Sequence, residues 1–131
     1  MAVQGLTTIK SGHDPRETMN RLQAAVAAKG LTVFARIDHA AGASVAGLPL
    51  RPTEVLIFGN AKGGTPLMQA VQTIGIDLPL KALVWQDASG ETWLSWNDPA
   101  WLVARHGISG EEAVAARLTT LLDEIAKNAT A

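Results

Sequence analysis

The chain divides into short blocks in which apolar positions either alternate with polar ones or recur at helical spacing, and turn residues separate the blocks. Val3 to Lys10 is apolar and β-branched and predicts a first strand. Asp14, Pro15 and Glu17 supply an N-cap, a first-turn proline and a capping-box acid. Met19, Leu22 and Val26 follow on one helical face, and Lys29-Gly30 closes that helix. Leu31, Val33, Ala35 and Ile37 alternate with Thr32, Phe34, Arg36 and Asp38, so Leu31 to Asp38 predicts a second strand. His39 to Pro52 is small and irregular, a connection with room for one helical turn. Thr53 to Gly59 (TEVLIFG) predicts the third strand.

Asn60 to Gly64 then reads as a loop, with Thr65 capping a short helix that has Pro66 at its first position and Leu67, Met68 and Val71 on its inner side. Gly75 ends it. Leu80 to Gln86 (LKALVWQ) and Glu91 to Trp96 (ETWLSW) flank the turn residues Asp87 to Gly90 and predict a hairpin. Asp98-Pro99 starts another helix and His106-Gly107 stops it. Ser109 and Glu112 form a capping box ahead of Val114, Leu118, Leu121, Leu122 and Ile125, the stripe of a terminal helix. The order is β, α, β, β, α, β, β, α, α. Adjacent strands without intervening helices predict an α+β fold in two layers, a largely antiparallel sheet with helices packed on one face, formed as a single domain over residues 1–131.

Strict alternation places Phe34, Arg36 and Asp38 on one side of that sheet with Glu54, Leu56 and Phe58 and with Lys81, Leu83 and Trp85, leaving the helices to cover the other. Such a side is too apolar for a solvated surface and too charged for a core. It is expected to form a homodimer interface. A ligand groove anchored by Arg36, Glu54 and Lys81, or plain surface ion pairing, are the alternatives.

Composition narrows the partners. The 131 residues are 47% hydrophobic and 18% charged, and the mean hydropathy is +0.14, values of a chain that buries a core unaided. Eleven Lys and Arg stand against twelve Asp and Glu, a net charge of -1. The basic residues are scattered, so nucleic acid is not expected as a partner. Cysteine is absent, which removes disulfides, thiolate nucleophiles and Cys-based metal sites. MAVQGLTTIKSGHDP has no basic stretch followed by an apolar one, and no window is long enough to span a bilayer. The expectation is a cytoplasmic protein with no membrane partner.

Gly59-Asn60-Ala61-Lys62-Gly63-Gly64-Thr65 joins a strand to a helix N-terminus, where free amides and the helix dipole favour anions, and Lys62 adds a charge. It is not a Walker A loop, because the lysine precedes the glycine pair. The plainer reading is a tight turn capped by Thr65. His13, His39 and His106 are widely separated and never at the i, i+4 spacing of a helix-borne metal pair, so no metal is expected. His106 suits a helix C-terminus, and Asp38-His39, at a strand end, offers a general acid/base. Trp85, Trp93, Trp96 and Trp101 read as core and interface before they read as a ligand pocket. Ser95 and Ser109 lack the setting of a nucleophile elbow.

Three ordered segments, RPTEVLIFGNAKGGTPLMQ (51–69), IGIDLPLKALVWQD (74–87) and WNDPAWLVARH (96–106), together with Ile37-Asp38-His39, resemble the domain-of-unknown-function 302 family over Ile37 to His106. The family's usual Asn-Pro-Lys stands here as Asn60-Ala61-Lys62, and its frequent tyrosine as Trp96. The resemblance implies a small α+β fold, often dimeric, with no established catalytic activity and no functional residue to transfer.

The function expected from these observations is a homodimeric small-ligand binding or sensing module, with no cofactor and no catalysis of its own. Asn60, Lys62, Gly63, Gly64, Thr65 and Lys81 are its ligand-binding candidates, and a small anion is the expected ligand. The alternatives are an enzyme acting on a small anionic metabolite, with His39 as acid/base, or a protein-interaction domain.

Overall fold

The computed structural model describes residues 2–131. Five strands, β1 (Leu6–Lys10), β2 (Thr32–Asp38), β3 (Thr53–Gly59), β4 (Leu80–Gln86) and β5 (Thr92–Asn97), form one sheet in the order β1-β5-β4-β3-β2. Every neighbouring pair is antiparallel. The helices are α1 (Pro15–Ala28), α2 (His39–Val45), α3 (Ala61–Ala70), α4 (Pro99–Arg105) and α5 (Glu112–Thr130), with a 3-10 turn over Gln72–Ile76. α1 packs against α5 and against β2 to β5, and α3 and α4 pack against α5. The expected two-layer α+β arrangement is what forms.

Local chemistry sets most element ends. Asp14 caps α1, its Oδ1 accepting from the Glu17 amide at 2.8 Å. Glu17 does not reach back as a capping-box acid and instead receives Arg21 Nε at 3.0 Å. In the β4–β5 turn, Asp87 Oδ1 accepts from the Ser89 and Glu91 amides at 2.9 and 3.0 Å, and Gly90 takes φ +86. The predicted capping box at Ser109 does not form. Glu111 is the N-cap residue of α5, without a side-chain bond, and Glu112 accepts from the Gly110 amide. β1 starts at Leu6, because Gly5 turns the chain at φ +75 with its Cα against the Trp101 ring.

Met19, Leu22 and Val26 of α1, and Leu118, Leu122 and Ile125 of α5, are buried against the sheet. The sheet contributes Leu56, Phe58, Leu80, Val84, Leu94 and Trp96 to the same core. This reverses the expected faces of two strands. Leu56 and Phe58 are fully buried beneath the helices, and Glu54 pairs across with Val84 on that same side. Arg36 also faces the helices: it grips Glu54 through Nε at 2.6 Å and Nη2 at 3.1 Å and reaches Asn20 and Gln23 of α1. A groove anchored jointly by Arg36, Glu54 and Lys81 is therefore excluded, since Lys81 lies on the other face with Leu83 and Trp85, opposite Ile57, Val55 and Thr53.

Two features hid this. Val55 to Phe58 is apolar throughout and gives no period-two signal. In β2, Val33 pairs with Phe58 but Ala35 pairs with Ile57, a bulge at Phe34 that flips the side-chain sense of everything after it.

The candidate ligand cavity

β3 ends at Gly59, and Asn60 turns the chain into α3 from an extended conformation (φ -152, ψ 159), its Oδ1 accepting from the Gly63 amide at 2.7 Å. The segment read as a loop is thus the first turn of α3. Asparagine is a stronger N-cap than a threonine four residues into the helix, so the helix begins at Ala61. Pro66 then falls inside α3, leaving the Lys62 carbonyl without its helical donor. Neither glycine is forced by a tight approach to a neighbouring element; the nearest atom to a Cβ on Gly63 would be the capping Asn60 Oδ1 at 3.1 Å. A Cβ on Gly63 would lie 3.6 Å from Leu118 Cδ2, and one on Gly64 would lie 3.4 Å from Leu78 Cδ1.

Beside this turn opens a cavity of about 630 Å³, within the range of small-molecule sites. Leu31, Met68, Leu78, Leu80, Leu118 and Leu121 supply its walls, with Phe34 beside them. Asn60, Lys62, Gly63, Gly64 and Thr65, all candidates from the sequence, line it together. Lys81 does not; its Nζ donates to the Pro79 carbonyl at 3.3 Å. Arg117 of α5 lines the cavity and was missed, because only the packing of α5 against α3 brings residue 117 to residue 62. Among the described residues, no carboxylate lines the cavity and neither Lys62 nor Arg117 forms an ion pair. Its two charged groups are both cations.

The other candidates lie apart. His39 is exposed at the start of α2, and Asp38, instead of orienting it, caps that helix through the Ala41 amide at 2.9 Å. The tryptophans do not share one pocket. Trp85 and Trp93 stack on the face of the sheet away from α1, with centroids 6.2 Å apart; Trp96 is in the core, and Trp101 abuts Gly5. No group of three or more His, Asp or Glu side chains suited to a metal occurs among the described residues.

His106 does more than end α4. Its Nε2 meets Asp77 Oδ2 at 2.6 Å and its Nδ1 meets Thr73 Oγ1 at 2.9 Å, while Arg105 Nη1 binds both Asp77 oxygens at 2.7 Å. The cluster ties the 3-10 turn after α3 to α4. Burial pushes the Asp77 carboxyl up, but the His106 hydrogen bond and the Arg105 guanidinium outweigh it and hold the carboxyl below its ordinary value of 3.8. A depressed folded pKa stabilises the fold above the unfolded value, and that contribution is lost as pH falls through the folded one. Asp77→Asn is expected to cost about 1–3 kcal/mol at neutral pH. Its stability deficit should shrink below about pH 4, as urea denaturation at stepped pH would show. An equal deficit at pH 3 and pH 7 would remove the charge from the explanation.

The fold and cavity define a two-layer α+β domain with an apolar, cation-edged site. The chain belongs to the family described as "Domain of unknown function DUF302", whose model matches residues 7–125. A solved structure, the "uncharacterized conserved protein DUF302 from Bacillus stearothermophilus", superposes with a TM-score of 0.87 over 97% of this chain and 99% of that one at 20% identity, a likeness of fold alone. Over 117 residues the chain is 52% identical to proteins named "Fluoride-specific ion channel FluC 1" from Brucella suis biovar 1 (strain 1330) and Brucella abortus biovar 1 (strain 9-941). The match covers 88% of this chain but 46% and 43% of theirs, so the chain spans less than half the length of these curated relatives.

Proposed function

We propose that this chain is a homodimeric ligand-binding or sensing module without catalysis of its own, whose anionic ligand occupies the cavity beside the first turn of α3. One observation carries the reading: an apolar cavity whose charged groups are Lys62 and Arg117, with no acidic side chain in the lining among the described residues. Two uncompensated cations make such a site attractive to an anion and repellent to a cation. In a thermal-shift panel, organic anions at millimolar concentration should raise Tm while organic cations of equal size leave it unchanged. Equal shifts from both would contradict the reading.

The dimer part of this reading draws on the stretch 37–50. Ile37, Val45, Leu48 and Leu50 are 43%, 92%, 64% and 50% exposed, α2 buries no residue, and β2 is a sheet edge. A second copy of the chain is a fitting cover for such a patch. Light scattering should give twice 13.8 kDa, and Val45→Asp with Leu48→Asp should return the mass to that of one chain.

The Brucella proteins favour a setting for this module. No helix among the described residues is long and apolar enough to cross a membrane, which supports reading the matched part of those channels as an attachment to a pore. In this reading the module works in the cytoplasm beside an ion-transporting partner. Fluoride itself suits the cavity poorly, because a small, strongly hydrated anion needs several convergent donors and these walls are apolar. Fluoride in the same panel should give no saturable shift.

A further inference from the structure

We infer that the ligand of this cavity is a single-headed amphiphilic anion, an acyl carboxylate of medium chain length whose head sits at Lys62 and Arg117 and whose tail lies along the leucine walls. The inference rests on reading the cavity as an anion site and adds the nature of the ligand's body. A compact anion such as phosphate or acetate would engage the two cations. It would leave most of a 630 Å³ apolar space in contact with water, without the apolar transfer that favours ligand burial.

The geometry separates head from tail. Lys62 and the Asn60 cap stand on the first turn of α3, and Arg117 precedes Leu118 on α5. Leu118 and Leu121, one helical turn apart, line one wall, and Leu78 and Leu80 bring the approach to β4 into the lining. Met68 adds an unbranched, adaptable side chain suited to a flexible acyl tail. Lys62 and Arg117 are exposed and the leucines half-buried or buried, the polarity order of a site that holds a head near water and a tail away from it. No charged group besides Lys62 and Arg117 lines the cavity, which argues against a dicarboxylate with a second carboxylate at the far end.

Each methylene moved from water into such a site strengthens binding by about fourfold. Decanoate is therefore expected to bind at least a hundredfold more tightly than acetate. Titration calorimetry on the full chain, with decanoate, decanol, acetate and inorganic phosphate as probes, decides the matter. Lys62→Glu combined with Arg117→Glu alters exposed positions and should keep the wild-type Tm while weakening decanoate at least tenfold and decanol less than twofold. Phosphate or acetate binding as tightly as decanoate would overturn the amphiphile but leave the anion reading standing. Decanol binding as tightly as decanoate to both proteins would remove the role of the cations. No heat from any probe at two temperatures about 15 °C or more apart would overturn both readings, since apolar burial is near-athermal only around room temperature.

Discussion

Phe58→Ala is expected to lower the stability of the fold by about 3–5 kcal/mol, a large part of the roughly 5–15 kcal/mol available to a domain of this size. Phe58 is the largest fully buried side chain. It stands on β3 between Val33 of β2 and Leu80 of β4 in the pairing register, so truncation leaves a void that three paired strands cannot collapse without breaking their ladder. The cost is the lost transfer of the ring plus the unfilled cavity. Urea denaturation should show a lower midpoint with an unchanged slope. A loss under 1 kcal/mol would mean that the helix-covered side of β3 has been assigned wrongly, since the sequence alone placed Phe58 on the opposite face.

Gly5→Ala is the second large effect, about 2–5 kcal/mol. Two separate costs combine. Gly5 adopts φ +75, a region that costs an L-residue about 1–2 kcal/mol. A Cβ there would also lie 2.2 Å from Trp101 Cδ2 and 2.4 Å from Cγ, an overlap with the rigid base of the indole whose relief costs about 1–3 kcal/mol. The position matters because the Gly5 carbonyl accepts from the Asp98 amide at 2.8 Å and Thr7 hydrogen-bonds the Asp98 side chain, joining the start of β1 to the start of α4. Gly30→Ala separates the two costs. Gly30 has φ +74 but nothing within 4 Å of its would-be Cβ, so its substitution should show the conformational part alone. Equal losses at both glycines would leave no role for the Trp101 contact.

The elements were legible in the sequence wherever an end is set by local chemistry. Asp14-Pro15, Asp87 with Gly90, and Asp98-Pro99 each mark a boundary that the structure places within a few residues. The strand-to-helix junction at residue 60 was misread because two residues compete for the cap. Thr65-Pro66 looks like a helix start, but Asn60 captures the Gly63 amide first and the helix extends through the glycines. Side-chain facing was the least legible property. A bulge at Phe34 and an unbroken apolar run in β3 leave the facing of both strands to pairing with β4, which no local pattern records.

The cavity was half visible for the same reason. Asn60 to Thr65 is contiguous and rich in glycine and stands out as a candidate, whereas Leu31, Leu78 and the pair Arg117-Leu118 come from three distant stretches. Arg117 carried one weak signal, a cation directly before Leu118 in a terminal helix otherwise read by its apolar stripe. Lys81 fell the other way. Its strand leads out of the cavity at Leu80, and alternation turns the next side chain to the opposite face.

We place the ligand in this cavity, and not at the surface near His39 or on the stacked Trp85–Trp93 pair. A 15N NMR titration of the full chain with decanoate tests this placement most directly. Saturable shifts are expected at the amides of Ala61 to Thr65, Leu78, Leu80, and Arg117 to Leu121, with His39, Trp85 and Trp93 unmoved. Saturable shifts centred on His39 or on the tryptophan pair, with residues 61–65 and 117–121 silent, would contradict it.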